Sequence, residues 1–167
     1  SAEGKAHGLP EDKVHFHEVG AVDSIVDIVA VAVCFDQLDI KEVIVPRLCE
    51  GSGTIRCQHG ILPVPVPAVA NIMEQFHLPV EICPIKGEFV TPTGAAIIAA
   101  TMTTDALPER FDIEKIGMGA GKRNYERPSI LRGMFIHDKS VKKDTIYKLE
   151  SNIDDCSGEV LGYVMEQ

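Results

Sequence analysis

Leu62-Pro63-Val64-Pro65-Val66-Pro67, followed directly by Ala68 to His77 and then by Val80 to Cys83, decides the fold class of this chain. Prolines at alternate positions remove backbone donors and push each preceding residue away from helical angles, so Leu62 to Pro67 must be extended. Pro67 suits the first position of a helix, which the pattern carries to about His77. Val80 to Cys83 then reads as a strand, and so does Glu88 to Val90. Thr91-Pro92-Thr93-Gly94 opens an Ala/Ile-rich helix reaching about Thr103.

Outward from that unit the alternation continues. Upstream, Val22 to Leu38 places Val22, Ile25, Val26, Val29, Val33 and Phe35 in one apolar band of helical length, and Val43 to Pro46 forms a short strand. Downstream, Asp112 to Gly117 and Ile130 to Ile136 are strands on either side of a glycine-rich loop. The pattern predicts an α/β (α+β) fold, a mixed sheet with flanking helices, followed by the start of a second domain. Residues 1–137 form the first domain, the polar, lysine-rich stretch at 138–145 a linker, and residues 146–167 the opening of the next. At the amino end, Ser1 to His7 looks like the last turns of a helix closed by Gly8. The carboxyl end stops inside an amphipathic pattern, with Val160, Leu161, Val164 and Met165 on one side, so a piece of a longer protein is expected.

Of the 167 residues, 45% are hydrophobic and 25% charged, the balance of a globular chain. Sixteen Lys and Arg against 25 Asp and Glu give a net charge of -9, a field that repels polyanions and argues against nucleic acid as partner. The longest apolar run, Ile28 to Phe35, lies between Asp27 and Asp36 and falls far short of the roughly 20 residues that cross a bilayer. No membrane association is expected. The five cysteines are scattered, odd in number and never spaced as CxxC, which fits reduced thiols in the cytoplasm.

Five places carry chemistry. In an extended His15-Phe16-His17-Glu18 both imidazoles point to one face and can meet a cation, with Asp23 and Asp27 on the following helix as ligands or orienting carboxylates. The same residues also read as half-buried histidines and charges favouring a helix start. Cys49, Cys57 and His59 could form a soft, transient nickel site or be inert thiols beside a turn. Thr91, Thr93 and Gly94 could hold a phosphate at a helix start or simply cap that helix.

The glycine-rich stretch Gly117-Met118-Gly119-Ala120-Gly121-Lys122-Arg123 fails as a dinucleotide fingerprint and as a P-loop. Gly119 and Gly121 leave a flexible turn with Lys122, Arg123 and Arg127 behind it, fit for a phosphate or carboxylate, or else a plain hairpin with solvated charges. Asp154 and Asp155, between a strand and a helix, could hold magnesium or manganese beside a nucleotide, or cap the helix.

Taken together, VHFHEVGAVDSIVDIV (Val14 to Val29), GSG (Gly51 to Gly53), HGILPVPVPA (His59 to Ala68), GEFVTPTGAA (Gly87 to Ala96), EKIGMGAGKRNYERPSILR (Glu114 to Arg132) and ESNIDDCSGEVLGYVME (Glu150 to Glu166) resemble the LarC family of nickel-insertion proteins. The resemblance implies a cyclometallase (a lyase-class nickel chelatase). In that reaction nickel enters pyridinium-3,5-bisthiocarboxylic acid mononucleotide through carbon–nickel and sulfur–nickel bonds, with CTP cleaved to CMP and pyrophosphate. The product is the nickel-pincer cofactor of lactate racemase, which becomes the implied recipient, and a homo-oligomer is expected.

By the same resemblance His15, His17, Glu18, Asp23 and His59 are the metal candidates. Thr91, Thr93, Gly94, Gly119, Gly121, Lys122 and Arg123 are candidates for the mononucleotide, and Asp154 and Asp155 for CTP with magnesium or manganese. No catalytic residue is assigned, and the fragment alone is expected to be inactive. A contrasting reading is a non-catalytic scaffold that positions other domains and self-associates. Because imidazole binds metal only when neutral, nickel affinity at His15 and His17 is expected to fall as pH drops through roughly 7 to 5.5. Titrations of the His15→Ala/His17→Ala pair against the parent check this, and equal affinities at each pH would assign the metal elsewhere.

Overall fold

A computed structural model describes residues 1–14, 22–57 and 60–139. The elements in chain order are α1 (Ala2–His7), a 3-10 turn (Glu11–Lys13), α2 (Val22–Gln37), β1 (Leu48–Ser52), β2 (Thr54–Cys57), β3 (Gly60–Pro63), α3 (Pro67–Phe76), β4 (Val80–Lys86), α4 (Pro92–Thr101), β5 (Phe111–Ala120) and β6 (Ile130–Asp138). The α+β class is as expected. Parallel and antiparallel pairings are both present, distributed among the described residues over three two-stranded sheets.

The proline run folds as its chemistry requires. β3 ends at Pro63, Pro67 opens α3 at its first position, and His77 closes it in the left-handed conformation. One side of α3 supplies most of the core: Val69, Ile72 and Met73 pack with Val66, Leu78 and Ala95, and Leu48, Leu62, Val90 and Ile98 close around them. β1 and β4 pair in parallel with α3 in the chain between them, from Leu48 opposite Val80 to Ser52 opposite Lys86. β2 and β3 form a short hairpin, and β5 and β6 a long antiparallel ribbon.

Three expected features differ. Val43 to Pro46 is not a strand: Ile44 makes a single parallel bridge to Thr104, and the pairing strand starts only at Leu48, where the backbone meets β4. Glu88 to Val90 is irregular, because the amides of Phe89 and Val90 bond to a side chain instead of a neighbouring strand. Gly119 does not form part of the turn: β5 continues past the expected end at Gly117, which lies opposite Gly133, to place Gly119 opposite Leu131, and the chain turns at 121–129 instead. A strand tolerates these glycines because the ribbon leaves open space where their Cβ atoms would stand.

Helix α2 forms over the expected span, but its apolar band stays exposed at Val22, Ile25, Val26, Val29 and Val33. Strand β6 runs through Asp138, the Lys139 N–H donates to the Arg110 carbonyl at 2.8 Å, and the rest of the linker at 140–145 and the expected domain opening at 146–167 lie outside the described residues. No helix among the described residues is long and apolar enough to cross a membrane.

The end of the β1–β4 pair is the tightest place in the fold. A Cβ on Gly51 would overlap the carbonyl oxygen of Gly87, a backbone atom that cannot swing aside, whereas a Cβ on Gly117 meets nothing within 4 Å. Gly51→Ala should therefore lower the unfolding free energy by about 2–4 kcal/mol, while Gly117→Ala should change it by less than about 1 kcal/mol. Urea unfolding of the two variants measures both, and equal losses would contradict this packing.

Candidate functional site

The carboxyl ends of β1 and β4 meet the turn between β5 and β6. Glu50, in the middle of β1, is fully buried, and its Oε1 accepts hydrogen bonds from the backbone N–H of Gly51 (2.7 Å), Phe89 (2.7 Å) and Val90 (3.3 Å). Oε2 is buried as well, with no hydrogen-bond partner among the described residues. Burial pushes the Glu50 carboxyl above its ordinary range. The three backbone donors oppose that rise, and the neighbouring charge of Glu88 adds to it. A carboxyl in this setting favours its protonated form more than a surface glutamate does.

Segment 87–90, anchored in this way, receives the connection 121–129. Gly87 has φ 137°, a conformation that L side chains rarely adopt, and a Cβ there would run into the Tyr125 ring. The Tyr125 hydroxyl donates to the Glu88 carbonyl at 2.8 Å, and its ring meets Phe89 edge-on with centroids 4.6 Å apart. Arg123 Nη1 donates to Glu88 Oε2 at 2.8 Å. Arg127 lies over the Phe89 ring at 4.5 Å from its centroid, a cation on an aromatic face.

Hydrogen bonding to Tyr125 and then to Glu88 raises the Arg123 pKa, and hydrogen bonding to the Cys49 thiol raises that of Arg127. Gly121 closes the turn by donating to the Ser129 carbonyl at 2.8 Å. The connection encloses an open cleft of about 420 Å³ lined by Arg123, Asn124, Tyr125, Glu126, Arg127 and Ser129, among others. Two guanidinium groups, an amide and two hydroxyls, against the one carboxylate of Glu126, make this cleft chemically suited to an anion.

A family model described as nickel insertion protein matches residues 1–167. The chain belongs to the nickel insertion protein family. It is 52% identical to the pyridinium-3,5-bisthiocarboxylic acid mononucleotide nickel insertion protein of Alkaliphilus metalliredigens, over 99% of this chain and 43% of that protein. A protein of the same name from Acetivibrio thermocellus is 44% identical over 99% of this chain and 41% of its own length. A putative nickel insertion protein of Enterococcus faecalis is 44% identical, again over 99% of this chain, and 53% of it is covered. The chain thus spans about half or less of the length of these relatives. No solved structure matches it.

Against this nickel-insertion background the expected site residues divide into three groups. His15, His17, Glu18, His59, Asp154 and Asp155 lie outside the described residues, and of Asp23 only its place in α2 is described. Thr91, Thr93 and Gly94 stand at the start of α4. There the Thr91 hydroxyl accepts from Gly94 N–H at 3.2 Å, the capping geometry, and the Thr93 hydroxyl lies 3.5 Å from Ser24 Oγ of α2. The third group is the turn itself: Gly121 and Arg123 line the cleft, Lys122 is exposed beside it, and Gly119 sits in β5.

Glu50 and Glu88, which hold the turn in place, were not anticipated from the sequence. The available signal was an acid placed inside an otherwise apolar strand at Cys49-Glu50-Gly51, and another between Gly87 and Phe89. Buried acids bonded to backbone are rare enough to merit notice there.

The raised pKa of Glu50 has a definite sign for stability. The folded protein binds the Glu50 proton more tightly than the unfolded chain does. Its contribution is therefore fully present below the unfolded value of about 4.3 and is lost as pH rises through the higher folded value. Glu50→Gln, which cannot ionise, should flatten that decline in chemical-denaturation midpoints measured across this range. An unchanged profile would show that Glu50 does not titrate there.

Proposed function

We propose that this chain is the central part of a nickel-inserting cyclometallase acting on pyridinium-3,5-bisthiocarboxylic acid mononucleotide. The observation that carries the reading is the 52% identity, over 99% of the chain, to a relative whose name states that substrate and that activity. The cleft at 121–129 supports it, because a chain of net charge -9 gathers Lys122, Arg123 and Arg127 within one turn. Local positive charge on an acidic protein selects a small anion over a polyanion.

In this reading Lys122 and Arg123 hold the phosphate of the mononucleotide, with Gly121 and Gly119 shaping the approach, and Thr91, Thr93 and Gly94 line the neighbouring helix start. Nickel is a substrate, delivered by His15, His17, Glu18, Asp23 and His59, whose mixed imidazole and carboxylate donors bind a borderline metal and release it. Forming the carbon–nickel bond replaces a ring C–H, so one proton must leave the pyridinium ring. An imidazole or carboxylate that has just released Ni²⁺ is a free base and can accept that proton. Asp154 and Asp155 have the oxygen-donor chemistry for the magnesium or manganese that accompanies CTP. Cleavage of CTP, transfer of the finished cofactor to lactate racemase and inactivity of this piece alone belong to the same proposal.

The test uses the full-length protein. Lys122→Ala combined with Arg123→Ala should weaken binding of the pyridinium mononucleotide by about tenfold or more while leaving nickel affinity within about twofold, both read by calorimetry. Equal losses for both ligands would make the turn a structural element and remove it from the substrate site.

A further inference from the structure

Glu88 takes two of the contacts that anchor the cleft. Its carboxylate pairs with Arg123 at 2.8 Å, and its carbonyl accepts the Tyr125 hydroxyl at 2.8 Å. The two members of the ion pair are unequally placed, the Glu88 side chain being 7% exposed and that of Arg123 63%. Glu88 is thus the fixed partner and Arg123 the one that reaches solvent. Glu88 also has little freedom of its own: Gly87 before it is confined by the Tyr125 ring, and the amides of Phe89 and Val90 after it are held by the buried carboxyl of Glu50.

A guanidinium has five N–H donors in a rigid plane. Nη1 of Arg123 is bonded to Glu88 and the residue also lines the cleft, so the guanidinium has further donors to offer an anion there. An arginine anchored in this way has already lost its rotamer freedom on folding, so an anion binding to it need not remove that freedom again.

We propose that Glu88 is the positioning residue of the cleft, holding Arg123 so that its outward N–H groups receive the phosphate of a pyridinium mononucleotide. The proposal rests on the substrate reading given above. The opposite role is physically distinct: a carboxylate that merely neutralised Arg123 would compete with the anion, and its removal would tighten binding. Positioning and competition therefore predict changes of opposite sign.

The experiment measures binding of nicotinamide mononucleotide, a pyridinium mononucleotide, and separately of nickel to the full-length protein by calorimetry, with thermal midpoints recorded for every variant. Glu88→Ala is expected to weaken the mononucleotide about tenfold. Glu88→Gln keeps an oxygen that accepts from Arg123 and should stay within about threefold of the parent. Glu88→Asp keeps the charge but is one methylene short of the guanidinium, so it should weaken binding as Ala does, and it carries the test if the Ala variant does not fold. Nickel affinity should not move in any of them. The double variant Glu88→Ala/Arg123→Ala should bind no more weakly than Arg123→Ala alone, since both act through one guanidinium.

Binding equal to or tighter than the parent in the Ala and Asp variants, or losses that add in the double variant, would overturn the positioning role. An Arg123→Ala variant with parental mononucleotide affinity would instead overturn the substrate reading on which it rests, and the positioning role with it.

Discussion

A single buried carboxyl group, that of Glu50, ties β1 to the segment that follows β4 and so supports the candidate site. Glu50 leaves water at the centre of β1 and accepts from three backbone amides, two of them in the segment that follows β4. Burying a carboxylate costs several kcal/mol unless its oxygens are hydrogen-bonded, and here one oxygen is and the other is not. Burial pushes the pKa of this group up, which lessens the cost by favouring the proton. The bonds to Phe89 and Val90 replace a sheet ladder and bring residues 87–90 against β1. Gly51 has no room for a Cβ because the Gly87 backbone approaches it, and Gly87 has none because the Tyr125 ring packs against it.

Everything in the cleft rests on that segment. Tyr125 packs on Gly87 and bonds to Glu88, Arg123 pairs with Glu88, and Arg127 lies on Phe89. The turn 121–129 therefore has a defined shape although much of it is exposed and the β5–β6 ribbon buries little apolar surface. Cations fixed from below can offer their outer donors to an anion. In the function proposed above, these outer donors are what an acidic chain of the nickel insertion family would offer to a substrate that carries a phosphate.

Local chemistry in the sequence revealed local structure. Alternating prolines and Pro67 gave the strand-to-helix passage, Thr91 and Pro92 the start of α4, and the apolar periodicity of Val22 to Leu38 the helix α2. The failures share one cause, a partner distant in the sequence. β1 contains a buried acid and a glycine, which its periodicity cannot justify without β4 and residues 89–90, 39 and 40 positions away. Glu88 and Arg123 are 35 positions apart, so neither residue signals the other. Gly119 imitates a flexible loop in sequence and becomes strand because β6 lies opposite. Lys122 and Arg123 were legible as candidates for an anion from charge beside glycine, but the glutamates Glu50 and Glu88 that support the turn were not.

The most direct test of this arrangement is an experimental structure of the full-length protein with the pyridinium mononucleotide bound. The phosphate should lie within hydrogen-bonding distance of Lys122 and Arg123, with Arg123 still paired to Glu88 and Glu50 still bonded to the amides of Phe89 and Val90. A mononucleotide bound away from the 121–129 turn, with Arg123 and Glu88 paired and making no contact to it, would contradict the account.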